Sequence, residues 1–485
     1  MPDTFFTNTD MPYADQAHAD QASSVPEDAA TLEARAAEQA WEAEIDDLLA
    51  SGALAGSAAQ FAQPRGANLL GRMDALEAWH SVRSQHGVWQ YSRSLDGAPH
   101  PIASIQDEAG HSARGINFAS QDYLSLASHP AVAEAAARAL RDAGPHSAGS
   151  AVLLGNTKTS LALEAAIAAL VQTEHVALFP TGWGAAFGAI TALVQSQDHV
   201  IIDQYAHASL RQGASAATSH IHLNRHLDVA HVRELLVKIR ARDTEHAILV
   251  VTEGLFSMDS DSPDLALLQA TCHEYNATLM VDVAHDLGAL GPGGGGCIAV
   301  QGMLGKIDLV MGAFSKTFSS NGGFVATSSR AVKRHLQLYA GPHMFSNALS
   351  PVQAAVVLQC VEIIRAEEGR ALRADLMRNV EALRSLLGAE GLQCLGIPSA
   401  IVPVLIGSET VSRLTGRLLF GQSVFVNQVE FPGVPVGASR LRLQLMANHN
   451  VQQIKRAAVV IGNACRRART SIEAGEARQQ QKKGM

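Results

Sequence analysis

The sequence predicts an α/β protein: a large, mainly parallel sheet followed by a smaller C-terminal α+β domain. Three observations point there. Apolar runs recur at 175–180, 199–203, 247–254, 277–284 and 307–312, and they do not alternate with polar residues. Strands of that kind are covered on both faces. Amphipathic stretches near 184–195, 207–217, 229–242 and 264–275 separate the runs, and helices between strands imply parallel connections. From about 401 the pattern changes to strand, helix, strand, strand, helix, with RLRLQLMA (440–447) as the central strand.

Taken in order, residues 1–28 are polar and without periodicity, which predicts disorder. Leu32, Ala36, Ala40 and Ile45 fall near helical spacing, so a helix is expected from Ala29 to about Leu54. The Gly/Ala/Ser stretch at 52–67 reads as a linker, and a second helix runs over 69–85. Together 1–85 form an acidic N-terminal extension. The large domain, 86–345, shows a strand ending at Ala119, a polar turn and a helix opened by Pro130. A long helical stretch over 351–387 leads into the small domain, 346–470, and 471–485 reads as a polar, frayed tail.

With 485 residues, 47% hydrophobic and 17% charged, the chain is globular and large enough for two domains. Its five cysteines lie far apart, so neither a disulfide framework nor a zinc site is indicated. No apolar run reaches the roughly 18 residues of a membrane span, and no signal peptide opens the chain. The expectation is a soluble, cytoplasmic protein without a transmembrane segment. Residues 1–60 hold 12 Asp and Glu against Arg35 alone, a balance of −11; the net charge is −9, so the remainder carries about +2. Neither part has the basic character of a nucleic-acid binder.

The chemistry collects where parallel sheets bind ligands, at the carboxyl ends of the strands. Thr181 and Gly182 open a helix after the run 175–180, a seat for phosphate. His207 follows Asp203; Glu253, Ser257 and Asp259 follow the run 247–254; Asp282 and His285 end the run 277–284. After 307–312 come Ser315 and Lys316. A buried lysine is driven toward the neutral amine that Schiff-base chemistry needs. A phosphate seat, such a lysine and an aspartate able to hold a protonated pyridine nitrogen specify pyridoxal 5′-phosphate.

The order TGW, DQYAHASL, TEGLFSMDSDSP, VDVAHDLG, FSKTF, NGGF, FSNALSP and PGVPVGASRLRLQLMANH resembles the α-oxoamine synthases over about 117–461. The TGW, AHASL and FSKTF segments look closest to serine palmitoyltransferase and autoinducer synthase-like members. The resemblance implies a fold-type I pyridoxal-phosphate transferase with a seven-stranded-type sheet. It implies an acyltransferase that joins a small amino acid to an acyl-CoA or carrier-protein thioester. By the same resemblance Lys316 holds the cofactor and moves the proton, Asp282 pairs with the ring nitrogen, and His207 stacks on the ring. His285 and Ser257 approach the ring hydroxyl, while Thr181, Gly182, Trp183 and Ser315 surround the phosphate. Ser346 would reach the phosphate of a second subunit, making a homodimer with shared sites. Arg442 would grip the amino-acid carboxylate, with Gln121 also at the substrate.

The chain departs from the family pattern at Gln121, Ala151, Ser160, Val283 and Ala313, where asparagine, arginine, histidine, glutamate and threonine are usual. These changes argue against the glycine-using housekeeping members. Two other functions fit the same scaffold: an aminotransferase or lyase, and a catalytically impaired partner subunit.

Overall fold

The structure, a computed structural model, describes residues 29–483; the disorder expected for 1–28 lies outside the described residues. Its centre is a seven-stranded sheet in the order His175–Phe179, Gly323–Thr327, Leu309–Ala313, Thr278–Asp282, Ile248–Glu253, His199–Asp203, Ile221–Asn224. Gly323–Thr327 runs antiparallel to both neighbours. All other pairs are parallel, as the uninterrupted apolar runs predict. Helices Gly182–Leu193, Ala208–Ala217, Val229–Arg240 and Leu265–Glu274 fall within two residues of their expected bounds.

Alternate residues of each strand feed opposite cores. Val200, Ile202, Leu249 and Met280 pack with Ala185 and Ala189 on one face. Ile201, Val250, Leu279 and Val281 join the larger core on the other. With both faces dry, the strand ends are the places where polar groups can meet.

The C-terminal sheet has Ser439–Gln444 at its centre, between Ile401–Gly407 and Asn427–Val429, as expected. A further sheet was not foreseen. Ser94–Asp96, Ile102–Gln106 and Ser112–Asn117 form an antiparallel meander, and Val424–Phe425 adds to it in parallel. The residues of Ser94–Asp96 are all exposed, so they leave no burial pattern in the sequence. The helical stretch 351–387 is two helices, Pro351–Arg365 and Glu367–Ala389, broken at the extended residue Ala366. Gly369 permits the tight bend: a Cβ there would lie 2.4 Å from the Ile363 carbonyl oxygen.

As far as Lys483 the tail is helical and not frayed. One helix, Val451–Lys483, continues through it. Ile461, Cys465, Ala468 and Ile472 keep helical spacing and are buried, and the helix Ala29–Ala50 packs alongside. Trp41 Nε1 donates to Ser471 Oγ at 2.9 Å, the Arg467 guanidinium lies 4.2 Å from the Trp41 ring, and Asp46 pairs with Arg478 at 2.9 Å and Lys482 at 3.1 Å. Basic residues of the tail thus neutralise acids of the extension. The expected linker is also held. Arg413 donates to the carbonyls of Leu54 and Gly56, and Ser57 Oγ donates to the Phe431 carbonyl at 2.8 Å. Among the described residues no helix is long and apolar enough to cross a membrane.

Candidate active site

The carboxyl ends of the parallel strands surround a cavity of about 480 Å³. Lys316 enters it from the turn joining Leu309–Ala313 to Gly323–Thr327, and Asp282 from the last position of its strand. The helix Gly182–Leu193 points its N-terminus into the same space, capped by Thr181 Oγ1, which accepts from Gly184 N at 2.9 Å. The first amides of a helix have no intrahelical acceptor, so those of Gly182 and Trp183 are donors for an anion. Only glycine fits at 182: a Cβ there would lie 2.4 Å from Ala313 Cβ. Arg442 comes from the C-terminal sheet, so the cavity lies where the two domains meet.

Of the twelve residues expected at the site, Gln121, Thr181, Gly182, Trp183, His207, Ser257, Asp282, His285, Ser315, Lys316 and Arg442 line this one cavity. Ser346 does not; it is exposed, in the segment following the short helix Gly341–Met344. Met258, Ser209, Asn321 and Glu253 line the cavity as well. Of these, Glu253 stands out in sequence as a strand-end acid. Tyr123 was missed: it is wholly buried, and its hydroxyl lies 3.0 Å from His285 Nδ1. Nothing in its local sequence distinguishes it from a core tyrosine.

Burial lowers the pKa of Lys316, partly offset by Asp282 and Glu253. Burial raises Asp282, and Lys316 pulls it back down. Asp282 Oδ1 accepts from Ala284 N at 2.8 Å. His285 is held well below its ordinary value, first by burial and then by Lys316 and Arg442, so it is a neutral imidazole. Burial also lowers His207, whose Nδ1 lies 2.8 Å from Ser209 Oγ. The buried Nε of Arg442 has no hydrogen-bond partner. A buried guanidinium N–H without an acceptor fits an anionic substrate. The amine, the acid opposite and the amide-lined helix end together suit pyridoxal phosphate.

Residues 113–461 match the family described as aminotransferase class I and II. The 8-amino-7-oxononanoate synthase of Trichlorobacter lovleyi is 37% identical over 349 residues, covering 72% of this chain and 88% of that protein. The chain belongs to the α-oxoamine synthases, within the aminotransferase class I and II family. Another synthase of this family, the serine palmitoyltransferase of Sphingobacterium spiritivorum, is 34% identical over 373 residues, 76% of this chain and 90% of its own length. The solved serine palmitoyltransferase of Sphingomonas wittichii matches with a TM-score of 0.77 at 28% identity, covering 83% of this chain and 100% of that one. A high-resolution serine palmitoyltransferase structure described with PLP also gives 0.77. The likeness to both synthases confirms the fold expected from the α-oxoamine synthase resemblance. The family match runs from 113 to 461, so the helix Ala29–Ala50 and the last turns of its partner lie outside it.

Proposed function

We propose that this α-oxoamine synthase uses pyridoxal 5′-phosphate to condense a small amino acid (serine, alanine or glycine) with an acyl-CoA. The products are an α-amino ketone, CoA and CO2. One observation carries this: a half-buried amine, a buried carboxylate and a guanidinium with an unpartnered N–H line one cavity at a helix N-terminus.

When bound, pyridoxal phosphate supplies an electron sink for charge developing at the substrate Cα. Lys316 would hold the cofactor through its aldehyde carbon, and its neutral Nζ would take the Cα proton; burial keeps that amine neutral more readily than in water. Asp282 would hold the ring nitrogen protonated, and His207 would cover the ring face. The Tyr123 hydroxyl lies 3.0 Å from His285 Nδ1; with that hydroxyl as the donor, the Nε2 proton of the imidazole would be free for the ring hydroxyl, with Ser257 beside it. The amides of Gly182 and Trp183, the capped Thr181 turn and Ser315 receive the phosphate. Arg442 grips the substrate carboxylate in a planar fork, which fixes the bond at Cα that lies across the ring; Gln121 lines the same side. Overall, a C–C bond forms between Cα and the acyl carbon. The thioester C–S bond breaks and the thiol leaves with the proton taken from Cα, while the Cα–carboxylate bond breaks as CO2 departs and a proton from solvent takes its place on Cα.

We further propose a homodimer. Leu153, Leu154, Tyr339 and Phe345 are 79%, 87%, 66% and 86% exposed. Ala348 N donates to the Gly149 carbonyl at 2.9 Å, which ties the segment carrying Phe345 to the one carrying Leu153 and Leu154. Exposed large apolar side chains of this kind call for a partner, and the exposed Ser346 adjoins Phe345 in the chain. The cytoplasm suits a chain whose five cysteines are all free.

Incubating the protein with each amino acid and a series of acyl-CoAs tests the reaction. The expectation is thiol and CO2 release in equal amounts. Amino-group transfer to a 2-oxo acid without thiol release would favour an aminotransferase instead.

A further inference from the structure

Glu253 is the titratable cavity group that the reaction above leaves without a role. It ends the strand Ile248–Glu253 and pairs in register with Asp282 on the adjacent parallel strand. Paired residues of parallel strands share a face, at a strand spacing of about 4.8 Å, and both side chains line the cavity. Glu253 is 4% exposed and Asp282 6%. Glu253 Oε1 accepts from the backbone N–H of His207 at 2.7 Å. This bond crosses from one strand end to the next and fixes the residue that starts the helix Ala208–Ala217.

We propose that Glu253 is a positioning residue that carries a proton: as a neutral acid it holds His207 in place and leaves Asp282 as the ionised carboxylate of the cavity floor. The inference rests on the pyridoxal-phosphate reading of the site. Two carboxylates side by side in a dry sheet cannot both ionise cheaply. The groups facing Glu253 decide which one keeps the proton. Asp282 and Asp203 oppose its charge, whereas Lys316 and the His207 amide favour it. Burial and then Asp282 prevail, carrying Glu253 well above the ordinary carboxylate range. Asp282 faces Lys316 and accepts from Ala284 N, so it keeps its charge more easily. A neutral acid can still accept the His207 bond through its carbonyl oxygen.

Infrared difference spectra of the holoenzyme at about pH 8 test the proton directly. Asp122 and Asp286, both raised to about 6, are ionised there. One protonated-carboxyl band is expected, and Glu253→Gln should remove it. A wild-type spectrum without the band, or a band that survives the substitution, overturns the proposal. Cofactor release tests the positioning. Glu253→Ala should release cofactor about tenfold faster, a loss typical of one buried hydrogen bond. Glu253→Gln restores the acceptor and should recover most of that loss, with the pH midpoint of the lysine-bound cofactor's visible band unmoved. A Gln variant as leaky as Ala, or a midpoint that falls, would mean that the negative charge matters and would overturn the proposal. If wild-type protein takes up no cofactor, the function proposed above fails, while the infrared band of the apoprotein still decides the state of Glu253.

Discussion

Arg442 carries the substrate assignment. Its charge is unmatched by any carboxylate among the described residues' ion pairs, and its Nε is buried without an acceptor. Arg442→Lys keeps the charge and loses the fork, so KM for the amino acid should rise at least tenfold, with a smaller effect on kcat. Steady-state kinetics at saturating acyl-CoA reads this. A different residue, His226, supplies a pH-dependent contribution to stability. Burial alone would lower it, but bonds to Asp203 at 2.9 Å and Asp261 at 3.2 Å carry it up to about 9. A group raised in the folded state stabilises fully below its unfolded value and loses that contribution as pH rises through its folded value. His226→Gln should therefore cost about 2 kcal/mol at pH 7 and almost nothing above pH 9.5 in urea unfolding. At this scale the sequence was legible where a cavity-lining side chain sits at a strand end, as with Lys316, Asp282 and His207. It was silent on Tyr123, whose role comes from a partner 162 positions away.

The unexpected elements are those whose stability comes from distant partners. Val451–Lys483 reads as a fraying tail because its last turns are polar; they are ordered against the helix Ala29–Ala50, which lies more than 400 positions earlier. The segment after that helix acts as a strap. Arg83 and Arg413, both 2% exposed, share Glu430. Two buried cations with one carboxylate need further acceptors, and the carbonyls of Leu54, Ala55 and Gly56 supply them. A chain beginning at residue 58 would lose those acceptors and uncover Ile45, Leu48 and Leu54's contacts in the core. Such a chain should be destabilised by about 3 kcal/mol or more, seen as a lower thermal midpoint and faster proteolysis. A stable, unaltered truncation would show that the extension is a dispensable arm. The helix Gly182–Leu193, by contrast, was plain in the sequence, because its cap, its glycine and its apolar face are local. Thr181→Ala should cost about 1 kcal/mol of stability and weaken phosphate binding.

For the whole molecule, the parallel sheet was legible because strands buried on both faces are apolar throughout. The meander at 94–117 was not, since its pairing with Val424–Phe425 joins segments about 300 positions apart. The exposed apolar surface around Phe345 and Leu154 belongs to this scale too. Phe345→Asp combined with Leu154→Asp should convert a dimer into monomers in sedimentation velocity, with loss of activity if the sites are shared. A wild-type protein that sediments as a monomer and turns over normally would contradict the assembly.

The proposed reaction depends on a single covalent attachment point in the cavity. Reconstituting the protein with pyridoxal phosphate, reducing it with borohydride and mapping the modified peptide by mass spectrometry locates that point. The prediction is one cofactor per chain on Lys316, absent from Lys316→Ala. Label on another lysine, or none in the wild-type protein, would contradict it.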